Sequence, residues 1–125
     1  MADHSPAFVR PLLVLAAALT VLAFAALTGA SPAQAASCSQ SRLPNGNGYI
    51  TSLNVTRVSC RTGRNVALAY YRCRIRKGKT ARCNGRVAGY RCRETKRMRI
   101  ATELNARVSC TRGARRVVHT YQQFL

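Results

Sequence analysis

Two kinds of residue in this chain could do chemistry: arginines in quantity, and one late histidine. Arg72, Arg74, Arg76, Lys77, Lys79 and Arg82 fall within eleven residues, and Arg91, Arg93, Lys96, Arg97 and Arg99 form a second run. Guanidinium groups are planar forked donors that match phosphate and carboxylate. Clustered this way they suit capture of an anionic polymer through many parallel contacts, as a non-catalytic act. A site touching 6–10 phosphates would lose roughly 10³–10⁵ in affinity between 50 and 200 mM salt. The expected contacts are Arg72, Arg74, Arg76, Lys77, Lys79 and Arg82 from the first run and Arg91, Arg93, Arg97 and Arg99 from the second. Acidic cell-wall polymers, anionic surfaces and nucleic acid all qualify as partners; the competing account is a surface charged for solubility. Tyr70, Tyr71, Tyr90 and Tyr121 lie near arginines, as base-stacking platforms would, but Tyr70, Tyr90 and Tyr121 fall on apolar faces, which favours core packing.

An enzyme would have to use His119, with Glu103 as base and an arginine clamp, in the manner of a small secreted ribonuclease. The closing VHTYQQF is loosely similar to the histidine-bearing last strand of barnase-like ribonucleases. Geometry opposes the pair. If Val108 pairs with Val117 across the final hairpin, Glu103 and His119 fall on opposite sheet faces. If it pairs with Val118 they share a face, but four residues, or roughly 13 Å, apart. A third class is a protease inhibitor or other protein-binding module, with the Arg76–Arg82 loop between Cys73 and Cys83 presenting Lys79 or Arg82.

These groups need a scaffold, and six cysteines supply its outline. Cys38, Cys60, Cys73, Cys83, Cys92 and Cys110 contain no Cys-x-x-Cys pair, which disfavours a metal site and favours three disulfides; no cofactor is expected. Fifteen pairings are open. All six follow a candidate secretory leader, residues 1–35, in which Leu12–Leu27 is nearly all apolar and Ala33-Gln34-Ala35 matches a signal-peptidase site. The apolar run is shorter than the roughly 20 residues needed to span a bilayer. With Arg10 and Asp3 removed, the 21 basic and 3 acidic residues become 20 and 2, so the remaining chain keeps a net charge of +18. Self-repulsion at that density costs stability, and disulfides of about 2–4 kcal/mol each would offset it.

The elements follow from pattern. Residues 36–48 read as a loop ending in a run of turn formers, and 49–125 as one disulfide-bonded α+β domain, a helix packed on a small antiparallel sheet of about four strands. Tyr49–Val58 reads as a strand. Ser59 is an N-cap for a helix whose apolar stripe is Gly63, Val66, Ala67, Tyr70, Tyr71 and Cys73, stopped near Gly78. Arg86–Arg93 reads as a strand with Tyr90 and Cys92 on one side. Alternation from Met98 to Cys110 predicts a long half-buried strand with room for a bend in its middle, and Gly113 turns the chain into a closing strand over Arg116–Tyr121. The tetrad Arg57-Val58-Ser59-Cys60 recurs as Arg107-Val108-Ser109-Cys110, opening a helix in one place and lying in a strand in the other.

The runs VSCRTGRNVALAYYR, GYRC and ARVSCTRGARRVV resemble a recurrent family of small, secreted, uncharacterised Arg/Cys-rich domains of high-GC Gram-positive bacteria, over roughly Leu53–Phe124. The resemblance implies an α+β fold and transfers no active site.

Overall fold

A computed structural model describes residues 31–125 together with Gly29. The expected leader therefore lies outside the described residues apart from its last few. Ser59 accepts a hydrogen bond from the Thr62 amide and starts α1 (Cys60–Lys77), the one α-helix among the described residues, which Gly78 ends by donating its N–H to the carbonyls of Arg74 and Ile75. The helix buries Gly63, Val66, Ala67, Tyr70 and Tyr71, the expected stripe, and in addition Arg74. No described helix is long and apolar enough to cross a membrane.

The sheet is larger than expected, with seven strands in place of about four. They are β1 (Ala36–Cys38), β2 (Ser41–Arg42), β3 (Gly48–Thr56), β4 (Gly85–Val87), β5 (Tyr90–Arg99), β6 (Glu103–Arg112) and β7 (Arg115–Phe124). All pairings are antiparallel and the order is β1-β3-β7-β6-β5-β4, with β2 also on β3. Of three corrections, the first two supply the three extra strands and the third moves a boundary, because β5 runs on from the hairpin into the segment read as the long strand. The segment read as a loop contributes β1 and β2, which pair with β3. The strand read over Arg86–Arg93 is a hairpin, turned at Ala88 and Gly89, both with positive φ. The long strand read from Met98 to Cys110 is two strands, folded back where the Ile100 amide bonds the Glu103 carbonyl.

The core lies between α1 and one face of the sheet. It is built from Ile50, Leu53 and Val55 of β3, Tyr90 and Cys92 of β5, Leu104, Ala106, Val108 and Cys110 of β6, and Val117 and Tyr121 of β7. Disulfides join Cys38 to Cys60, Cys73 to Cys83 and Cys92 to Cys110. The first ties β1 to the start of α1, the second ties α1 to the loop before β4, and the third crosslinks β5 to β6. At Gly63 the helix lies tight on β3, and a Cβ there would overlap Val55 Cγ1. Gly63→Ala is expected to lower the melting temperature, because overpacking costs about 1–3 kcal/mol against a helix-propensity gain of about 1. An unchanged or raised melting temperature would show that Val55 can move aside.

A cationic face on the open side of the sheet

Side chains alternate across a strand, so burying one face of the sheet against α1 dictates what the other presents. The register aligns this open face in rows. Arg91, Thr111, Arg116 and Thr56 form one row, Arg93, Ser109, Val118 and Asn54 the next, and Lys96, Arg107, Thr120 and Ser52 a third. Successive rows are two residues apart along each strand, or about 7 Å, so five cations occupy roughly 14 Å of sheet. Three shallow depressions run along them. The first is lined by Arg91, Arg93, Ser109, Thr111 and Arg116. It shares Ser109 and Arg116 with the second, which adds Thr95, Lys96, Arg107 and Val118. The third continues from Lys96 and Arg107 to Met98, Asn105 and Thr120.

No carboxylate stands in these rows. Among the described residues the one acidic side chain on this face, Glu103, lies beyond them and accepts hydrogen bonds from Asn105 Nδ2 at 2.8 Å and Gln122 Nε2 at 2.6 Å. The salt bridges among the described residues, Arg82–Glu94 and Arg97–Glu94, both belong to the helix side. Compared with known proteins, the chain matches no family model, no curated protein and no solved structure. What the face can bind rests on its own residues.

A bulge sets its composition. Glu94 pairs with Val108 and Lys96 with Arg107, leaving Thr95 as the extra residue, whose hydroxyl donates to the Arg107 carbonyl at 3.4 Å. One extra residue inverts the alternation beyond it. Lys96 is thereby placed on the open face, and Arg97 is returned to the helix side beside Glu94, although residues i and i+3 of a regular strand face opposite ways. A second bulge, at Thr51 in β3, donates the same way to the Thr120 carbonyl at 3.2 Å. Thr120 is the cross-strand partner of Arg107, so the two bulges lie on one line across the sheet.

The ten expected contact residues do not share a face. Arg91 and Arg93 stand on the open side. Arg72 and Arg76 are exposed on the helix flank, where with Arg86 they line a groove between α1 and β4. Lys77 and Lys79 are exposed where the helix ends, and exposed Arg99 pairs with buried Leu104 at the end of β5. Arg82 is tied to Glu94. Two residues are corrections. Arg97 holds Glu94 through Nε and Nη2, both at 2.7 Å. Arg74 is fully buried, with its guanidinium over the Tyr121 ring, donating to the Ala81 carbonyl at 3.1 Å and to Gln123 Oε1. Arg74 presents no surface to a polymer, and Arg97 is engaged by Glu94. Arg107 and Arg116, absent from that set, belong to the face instead; the signal for them was strand parity against the buried Ala106, Val108 and Val117, and not density along the chain.

Beneath the sheet, Glu94 organises a polar cluster. Its carboxylate accepts from Tyr70 and Tyr121 hydroxyls at 3.2 and 3.0 Å as well as from Arg97 and Arg82. Burial alone would raise its pKa, but the Arg97 and Tyr121 hydrogen bonds outweigh it and hold the group below the usual carboxylate range. Burial pushes the Tyr70 and Tyr121 hydroxyls far above their usual values, so both remain donors. His119 is 1 % exposed, edge-on to Tyr70, and is pushed down to about 4 by burial and by Arg74. The observed register pairs Val108 with His119 itself, neither of the two alternatives expected, and it puts His119 on the helix side and Glu103 on the open side. The sheet therefore separates the two groups a ribonuclease would need together. The loop expected to face a protease turns its carbonyls inward: those of Lys79, Thr80 and Ala81 accept from Gln123, Arg97 and Arg74.

Proposed function

We propose that the chain beyond its leader is a secreted, non-catalytic domain that binds anionic polymers on the open face of its sheet. The observation that supports this most directly is the set of three adjacent rows bearing Arg91, Arg93, Lys96, Arg107 and Arg116 with no carboxylate among them. The paired strands hold the backbones of these cations in place, so that binding a polyanion has only their side chains to order. The three disulfides are compatible with an oxidising compartment.

The test compares two variants of the oxidised protein by anisotropy of a labelled single-stranded oligonucleotide across a salt titration. Replacing Arg93, Arg107 and Arg116 by Gln is expected to reduce the slope of log K against log salt by about 2, since each lost phosphate contact on a single strand removes about 0.7. Replacing Arg72, Arg76 and Arg86 on the helix flank should change the slope by less than half of that. Equal losses in both variants would mean that net charge, and not this face, carries the binding.

A further inference from the structure

The open face does not end with its cations. Beyond the row of Lys96 and Arg107 lies a row of different chemistry, Met98, Asn105, Gln122 and Tyr49, with Phe124 next to it. Met98 is 59 %, Phe124 43 % and Tyr49 39 % exposed. The Tyr49 and Phe124 rings meet edge to face with centroids 6.1 Å apart. The other tyrosines of the domain are buried in the core, so this aromatic pair on the outer surface is not required for packing against α1. Asn105 and Gln122 commit their amide nitrogens to Glu103, which leaves their carbonyl oxygens to present beside the rings.

We propose that the polymer this face is built for is single-stranded nucleic acid. The inference rests on the anion-binding reading above and names its substrate class. A cationic sheet surface running into exposed aromatic rings matches a ligand that carries both a regular anionic backbone and flat unsaturated faces. The backbone lies along the rows of Arg91 and Arg116, Arg93, and Lys96 and Arg107. An unpaired base at the far end stacks on Tyr49 or Phe124, with the Asn105 and Gln122 carbonyls as acceptors for its exocyclic amino group. Polyphosphate satisfies the cations but offers nothing to the rings, and acidic cell-wall polymers and lipid headgroups carry no flat unsaturated faces to stack on them. A duplex keeps its bases stacked inside.

The experiment uses the oxidised protein at fixed salt with four probes of equal charge: a mixed-sequence 12-nucleotide single strand, the same strand with abasic sites throughout, a duplex, and polyphosphate. The base-bearing strand is expected to bind at least about ten-fold more tightly than the abasic strand, because stacking on an aromatic ring contributes that much per base. The double variant Tyr49→Ser, Phe124→Ser should bring the two affinities together while leaving the abasic strand's affinity and salt slope unchanged. Equal affinity of the unmodified protein for the base-bearing and abasic strands overturns the inference without any variant, and leaves the anion face standing. Tighter binding of duplex or polyphosphate overturns it likewise. Failure to bind any of the four at low salt overturns the anion face itself.

Discussion

Reduction of the three disulfides is expected to unfold the domain at neutral pH and room temperature. The crosslinks close loops with sequence separations of 22, 10 and 18 residues. By loop-closure entropy each is worth about 3 kcal/mol, or about 9 kcal/mol together. Domains of this size have a total stability of roughly 5–14 kcal/mol, and this one also carries 20 cations against 2 anions beyond the leader, a repulsion that reduction leaves unopposed. Far-UV circular dichroism with a phosphine reductant should show loss of the cooperative melt. Because the repulsion is screened by salt, raising ionic strength should recover part of the structure in the reduced chain. A reduced protein that melts cooperatively within a few degrees of the oxidised one would show that the core alone suffices.

Glu94→Ala is expected to cost about 3–5 kcal/mol, the loss that follows when one partner of a buried charge pair is removed. The Glu94 side chain is 4 % exposed and Arg97 17 %, so the deletion strands a guanidinium and two tyrosine hydroxyls at once. The pH dependence has a definite sign. Glu94 titrates lower in the folded state than in the unfolded chain, so its stabilisation is complete above the ordinary carboxylate pKa of about 4.3 and is lost as pH falls through the folded value. His119, pushed down to about 4 from an ordinary 6.5, also makes the fold acid-sensitive. Between those values the unfolded chain binds a proton that the buried imidazole does not, so stability falls from about pH 6.5 and levels off near 4. Urea midpoints measured from pH 8 to pH 3 should therefore decline in two stages. Glu94→Gln should flatten the lower stage and leave the upper one; a curve unchanged in shape would place the acid sensitivity elsewhere.

The helix was legible because its signals are local: a capping serine, an apolar stripe and a glycine stop all lie within the segment they define. Arg74 shows the limit of that legibility. It sits four residues beyond Tyr70, yet as a cation it is expected off the apolar stripe. What decides is the pocket made by the nearby Ala81 carbonyl and by Tyr121 and Gln123 of the distant β7. The turn between β5 and β6 was invisible for a related reason. Ile100-Ala101-Thr102 contains no glycine or proline, and one of its carbonyls, that of Thr102, is satisfied by the Leu125 amide at the far end of the chain. The open face was the least legible part. The two bulges, of which the one at Thr95 turns Lys96 to the open face, are properties of pairing and not of any one strand, so arginines counted along the chain gave two clusters where pairing across the sheet gives one.

The order of the sheet carries a further consequence. The strand β7, Arg115–Phe124, lies between β3 and β6 and joins them, yet it contains no cysteine and is the last strand in the chain. None of the three crosslinks spans the middle of the sheet, where β7 bridges β3 and β6. Loss of β7 would leave all six cysteines in place and expose the edges of β3 and β6, unpaired strands prone to association. Disulfide content is therefore no measure of whether the sheet is closed.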